Sequence, residues 1–152
     1  MFRSIVVGTD GSATATEAVH RAYELAAFLS ADLHVVSAYR PPAVVLAATA
    51  EPGLAPSPVV AWSEAAQQDV RALLDGIAAG LAGPVTVTTH AVAAHPATAI
   101  LTVAGNVDAD LIVVGNRGMQ GRRRVLGSIP NHVSHHAACD VLVVDTIGAA
   151  TS

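Results

Sequence analysis

The chain has no lysine; all eight of its basic residues are arginines. That excludes a Walker A phosphate loop, whose G-K-[ST] ending depends on the lysine ammonium. A single cysteine, Cys139, forbids an internal disulfide and fits a reducing compartment. Aromatic residues make up 3% of the chain, so any core must be aliphatic. Charged residues make up 13%, well below the usual quarter, which leaves alanine, serine and threonine to cover much of the surface. No apolar run reaches the roughly 18 residues of a membrane helix, since AVVLAATA stops at Glu51. Met1 is followed almost at once by a strand pattern, leaving no room for a signal peptide, so the expected location is the cytoplasm. A net charge of −4 argues against nucleic acid as a partner. What is present is 152 residues that are 52% hydrophobic, enough for one domain over 1–152 with a substantial core.

The informative stretch runs from Asp110 to Val144. A buried strand, Leu111 to Val114, leads into a loop with glycines at 115, 118, 121 and 127, then a helix opening at Gly127-Ser128, then the apolar strand Asp140 to Val144. Glycines let a backbone approach a ligand closely. A helix starting directly after such a loop presents unpaired N–H groups and the positive end of its dipole. Together these describe an anion site, and after a strand the usual anion is phosphate. Four of the eight arginines (Arg117, Arg122, Arg123, Arg124) fall in this loop.

Read in order, Ser4 to Gly8 is a β-branched strand buried on both faces, ending in the turn residues Thr9-Asp10-Gly11-Ser12. Thr14 to Glu17 has capping-box spacing, and Ala18, Ala22, Leu25, Ala26 and Leu29 then mark a helix face. Leu33 to Tyr39 reads as a second strand. Residues 40 to about 60 hold five of the eight prolines and read as a long surface loop. Ala65, Val70, Leu73, Leu74, Ile77 and Leu81 predict a helix over 62–81, stopped by Gly83-Pro84. Val85 to Val92 alternates as a strand with one drier face, and Ala97 to Val107 follows as a helix with Pro96 at its start and Ile100, Leu101 and Ala104 inward. This βαβαβαβαβ order predicts an α/β fold, a parallel sheet with helices on both faces.

With VVGTDGS after the first strand, ADLIVVGNRG at the fourth and GSIPNHVSHHAACDVLVV at the end, nearly the whole chain resembles the universal stress proteins. The nucleotide-binding members of that family carry G-x2-G-x9-G-[ST]. Here Gly115-x2-Gly118 and Gly127-Ser128 are present, but eight residues separate Gly118 from Gly127, one fewer than the pattern. Ala94 and Asp140 also replace the family's common glycine and proline. The resemblance implies a Rossmann-like five-stranded sheet in the order 3-2-1-4-5, with the ligand at its reversal point between strands 1 and 4. It further implies an adenine nucleotide site in which Asp10, with Thr9 beside it, holds the ribose. The backbone around Ala38 would meet adenine, while Gly115, Gly118, Gly127 and Ser128 wrap the phosphates. Arg117, closest to the glycines, is the first choice for a charged phosphate contact. ATP is the expected nucleotide, with AMP and cyclic AMP as alternatives and magnesium as a companion of ATP.

The plainer readings stand beside these. Asp10-Gly11 is also ordinary turn chemistry, and the arginines also suit a solvated loop. His132 and His136 have the i,i+4 spacing of two zinc ligands, but Val133 stands where metalloprotease chemistry needs glutamate, so no metal site is expected. Cys139 reads as a small packing residue. The sequence has neither a first-turn G-x-G-x-x-G nor a G-x-S-x-G elbow. Three functions compete: a nucleotide-binding stress regulator, a slow ATPase or phosphoryl-transfer protein, and a partner-binding protein with a degenerate site. With Asp10 the one acid near the inferred phosphates, slow turnover is the most the enzymatic reading supports. The uncharged run Val141 to Val144 at a sheet edge predicts an antiparallel homodimer through the last strand, which the resemblance also implies.

Overall fold

The computed structural model describes residues 1–40, 58–116 and 127–146, with side chains from residue 62 onward in the second segment. The elements are β1 (Ser4–Gly8), α1 (Ala13–Leu29), β2 (Asp32–Tyr39), α2 (Pro58–Gly80), β3 (Val87–Ala93), α3 (Pro96–Asn106), β4 (Leu111–Gly115), α4 (Ser128–His136) and β5 (Asp140–Val144). All strand pairings are parallel, in one five-stranded sheet of order β3-β2-β1-β4-β5.

Side chains alternate across a strand, and the two faces of this sheet carry separate cores. Ile5, Val7, Leu33, Val35, Leu111 and Val113 pack against α1 and α2. Val6, Val36, Ile112 and Val114 pack against α3 and α4. Ile5, Val6 and Val7 are each 0% exposed, which is why β1 reads as an unbroken apolar run rather than an alternating one. Full burial of each such side chain contributes about 1.5–3 kcal/mol. The face of α1 toward the sheet is made of Ala18, Ala22 and Ala26, all fully buried, so this helix sits close to the strands.

Several expectations shift. The N-cap of α1 is Ser12, whose hydroxyl accepts from the Ala15 amide, so Thr14 lies inside the first turn rather than opening a capping box. Thr14 instead shares a hydrogen bond with the Ser12 hydroxyl at 3.2 Å. Helix α2 begins at Pro58 rather than Trp62; proline at a helix start gives up an N–H that would be orphaned there anyway. Ala65 is exposed, not inward. Strand β3 begins two residues later than predicted, and its residues alternate only weakly because it is an edge strand covered in part. The remainder of the proposed 40–60 loop, residues 41–57, lies outside the described residues.

Two ties hold the sheet ends. At the start, the Asp110 carboxylate accepts from the backbone amides of Arg3 (2.7 Å) and Ser4 (3.1 Å), joining the entries of β1 and β4. At the carboxyl end, Asn116 bridges β4 to the residues after β5. Its side-chain oxygen accepts from the Thr146 amide and hydroxyl (2.9 and 2.8 Å), and its amide nitrogen donates to Asp145 (2.9 Å).

Candidate functional site: a cavity at the sheet reversal

Strands β1 and β4 are neighbours whose following helices leave to opposite faces of the sheet, and open α/β sheets bind ligands at that divide. A cavity of about 410 Å³ lies there, within the range of small-ligand sites. Its floor comes from the strand ends: Gly8, Thr9 and Asp10 after β1, Val36 and Ala38 on β2, Val114 and Gly115 on β4. The rest of the lining comes from the first two turns of three helices: Thr14 and Ala15 of α1, Pro96 and Ile100 of α3, Ser128, Ile129 and Pro130 of α4.

Three helix N-termini therefore meet at one cavity, each with a positive dipole end. Neither α3 nor α4 has a side-chain cap on its first turn; their N-caps are His95 and Gly127. Pro130 lacks an N–H, so the rim of α4 offers the Ser128 and Ile129 amides and the Ser128 hydroxyl as donors to an incoming acceptor. The deeper wall (Val36, Ile100, Val114, Ile129) is aliphatic. One flat apolar group and one anionic group are the ligand chemistry that such a wall and rim accept together.

The turn after β1 is built to hold Asp10 in the cavity lining. The Thr9 amide donates to the Val36 carbonyl (2.8 Å), tying the turn to β2. The Thr9 hydroxyl accepts from the Gly11 amide (3.2 Å), and the Asp10 carboxylate from the Ser12 amide (3.0 Å). Gly11 has φ +78°, a left-handed conformation that suits glycine. The plain turn reading of Asp10 and its ligand reading are thus compatible. Gly8 lies under α3: a Cβ there would meet the end of the Ile100 side chain, which would have to shift.

Of the eight residues expected in the site, Thr9, Asp10, Ala38, Gly115 and Ser128 line the cavity. Gly127 caps α4 directly beside Ser128 but is not part of the wall. Arg117 and Gly118 lie outside the described residues, as do the other loop arginines. Sequence reasoning missed the strand residues Gly8, Val36 and Val114 and the helix residues Thr14, Ala15, Pro96, Ile100, Ile129 and Pro130, the latter six entering only through helix packing. The one signal available for those six was that each stands in the first turns of a helix following a strand, the rim position in this topology. Cys139 is half-buried outside this wall; burial, with Asp140 and Asp110 nearby, pushes its thiol above the ordinary range, which suits a packing role.

The fold is that of a doubly wound α/β domain with a cavity at its switch point. The model of the universal stress protein family matches residues 1–145, and the chain belongs to that family. It is 33% identical to the universal stress protein Rv1636 of Mycobacterium tuberculosis strain H37Rv, covering 95% of this chain and 97% of that protein. Among solved structures, a universal stress protein in complex with cAMP is 31% identical, with a TM-score of 0.72 over 95% of this chain and 98% of that one. A universal stress protein from Archaeoglobus fulgidus, in complex with dAMP, shares the fold at 19% identity and a TM-score of 0.56, covering 93% and 97%.

Proposed function

We propose that the chain binds an adenine nucleotide in the cavity at the β1/β4 divide and acts as a stress-response regulator rather than a fast enzyme. The observation that carries this reading is the meeting of an aliphatic wall with three helix N-termini at one cavity. The wall suits a purine, Asp10 suits ribose hydroxyls, and the Ser128 rim suits a phosphate. The 31% identical relative that binds cAMP supports the same ligand class. Thr9, Ala38, Gly115 and Gly127 are assigned to the same nucleotide, with Arg117 and Gly118 completing the phosphate side.

ATP remains the first nucleotide to test, with magnesium, and AMP and cyclic AMP are its competitors. The short Gly118-to-Gly127 spacing favours ligands with fewer phosphates, because the loop has one residue less to wrap a chain of them. Thermal-shift measurements with ATP, ADP, AMP and cyclic AMP, each paired with a phosphate-release assay, test the function. Stabilisation without release is the expected result. Release at the rate of an enzyme would move the protein to the ATPase reading, and silence with all four would leave an empty-site partner protein.

The same proposal includes a homodimer through β5. This strand closes one side of the sheet, and among the described residues nothing pairs with its outer edge. Leu142 on it is 42% exposed. Pairing two β5 strands antiparallel about a two-fold axis would satisfy both edges.

A further inference from the structure

Outside the cavity lining, though His90 pairs in register with Val36 of that lining, two histidines that are 56 positions apart in sequence meet on the sheet. His34 lies on β2 and His90 on β3, whose register pairs His34 with Thr88 and Val36 with His90. The two are therefore diagonal neighbours, and the alternation of β2 and β3 places them on the face that carries Val36 and Val92. Their rings are tilted by 44° with centroids 5.3 Å apart, and Nδ1 of His34 is 3.1 Å from Nε2 of His90.

We propose that His34 and His90 form a two-histidine site for a borderline divalent transition-metal ion of the zinc type, completed by water. The distance is the main support. Two imidazole nitrogens about 2.0–2.1 Å from one zinc ion, at angles between square and tetrahedral, stand about 2.9–3.4 Å apart. The observed separation falls inside that interval, so the ion can be chelated with ring rotations and without moving the strands. Both strands belong to one hydrogen-bonded ladder, which fixes the spacing in advance.

The net proton count of the pair is unchanged on binding, with water relaying one proton. In the metal-free pair one imidazole donates its proton to the other across the 3.1 Å contact. On binding, the ring that donated gives up its inner proton to water and takes one from water at its outer nitrogen, so that both rings are protonated only at the outer positions, Nε2 of His34 and Nδ1 of His90, and both inner lone pairs turn to the ion. Burial pushes both imidazoles below their ordinary range, which keeps them neutral and available as ligands at neutral pH. Asp32, two residues before His34 on the same strand, acts on it electrostatically in the opposite sense but more weakly; its negative charge favours a cation nearby. Among the described residues no cluster of three ligating side chains exists, so water fills the other positions. Imidazole pairs select zinc, nickel and copper over magnesium or calcium. This site stands independently of the nucleotide reading.

The chain has a competing pair, His132 and His136 on α4, stacked at 4.2 Å, with Nδ1 of His136 directed at the His132 carbonyl. The test uses both. The full-length chain is titrated with Zn2+ by calorimetry, beside His34→Gln, His90→Gln and the double variant His132→Gln/His136→Gln, with melting curves in chelator to verify folding. Losing one of two chelating ligands should weaken the site about a hundredfold, while the α4 variant should retain it. In the unmutated protein, the imidazole nitrogen resonances of His34 and His90 should shift on adding Zn2+. The proposal is overturned if micromolar Zn2+ leaves those resonances unmoved, or if the binding disappears with the α4 pair and survives in His34→Gln.

Discussion

At the residue scale, position along a strand decides what a polar side chain does. Asp110, half-buried just before β4, accepts two backbone amides at the other end of the sheet from the cavity; these amides hold its carboxyl below the usual range. A carboxylate with a depressed folded pKa stabilises the protein above its unfolded value, near 3.9, and that contribution is lost as pH falls from there through the lower folded value. Asp110→Asn should therefore be less stable than the parent at neutral pH, with a flatter stability curve below about pH 4 where the two converge. Denaturant melts across that range measure it, and parallel curves would show that the two amides are equally well served by water. Asp10, Gly115 and Ser128 could be read from the sequence because turn residues and glycines at strand ends carry local signals. His34 and His90 could not. Nothing near either histidine announces the other, and only the β2–β3 register brings them together.

At the element scale, the short strands written as unbroken aliphatic runs were the most legible. Continuous aliphatic runs gave the bounds of β1 and β5 as observed, and those of β4 to within one residue. The weaker readings sit where local signals conflict. The start of α2 was hidden because proline-rich sequence reads as loop, although Pro58 at a helix start is favourable. At α1, both Ser12 and Thr14 are credible caps by residue type, and the hydroxyl contact to the Ala15 amide decides for Ser12. Ser12→Ala should cost about 1 kcal/mol, as loss of an N-cap does. Thr14→Ala should cost clearly less, since among the described residues the Thr14 side chain bonds the capping hydroxyl and no helix amide. Chemical denaturation of both variants separates them, and a larger loss for Thr14→Ala would return the cap to the position the sequence pattern favoured. The rim residues of α3 and α4 were illegible for a related reason. A helix pattern identifies a first turn, but which cavity that turn faces is set by the crossovers.

At the scale of the whole molecule, sheet order leaves two edges, β3 and β5. Val141 and Val143 pack against the core on the α3 and α4 side, so a charge at Val143 would disturb the monomer itself. Leu142 points to the other face and is exposed, which makes Leu142→Lys the cleaner probe. Light scattering should give about twice the chain mass for the parent and one chain mass for Leu142→Lys, because lysine blunts an edge strand. A parent monomer at micromolar concentration would contradict the dimer. The central claim concerns the cavity, and a change at Ser128 isolates it. Aspartate in the first turn of α4 favours the helix dipole, so Ser128→Asp should melt at or slightly above the parent temperature. Its carboxylate would stand where a phosphate is proposed to sit. Calorimetry with AMP and adenosine on parent and variant is the most direct test. AMP affinity should fall by tenfold or more, about 1.4 kcal/mol, while adenosine affinity is little changed. AMP binding equally well to Ser128→Asp, or parent protein that binds neither ligand, would contradict it.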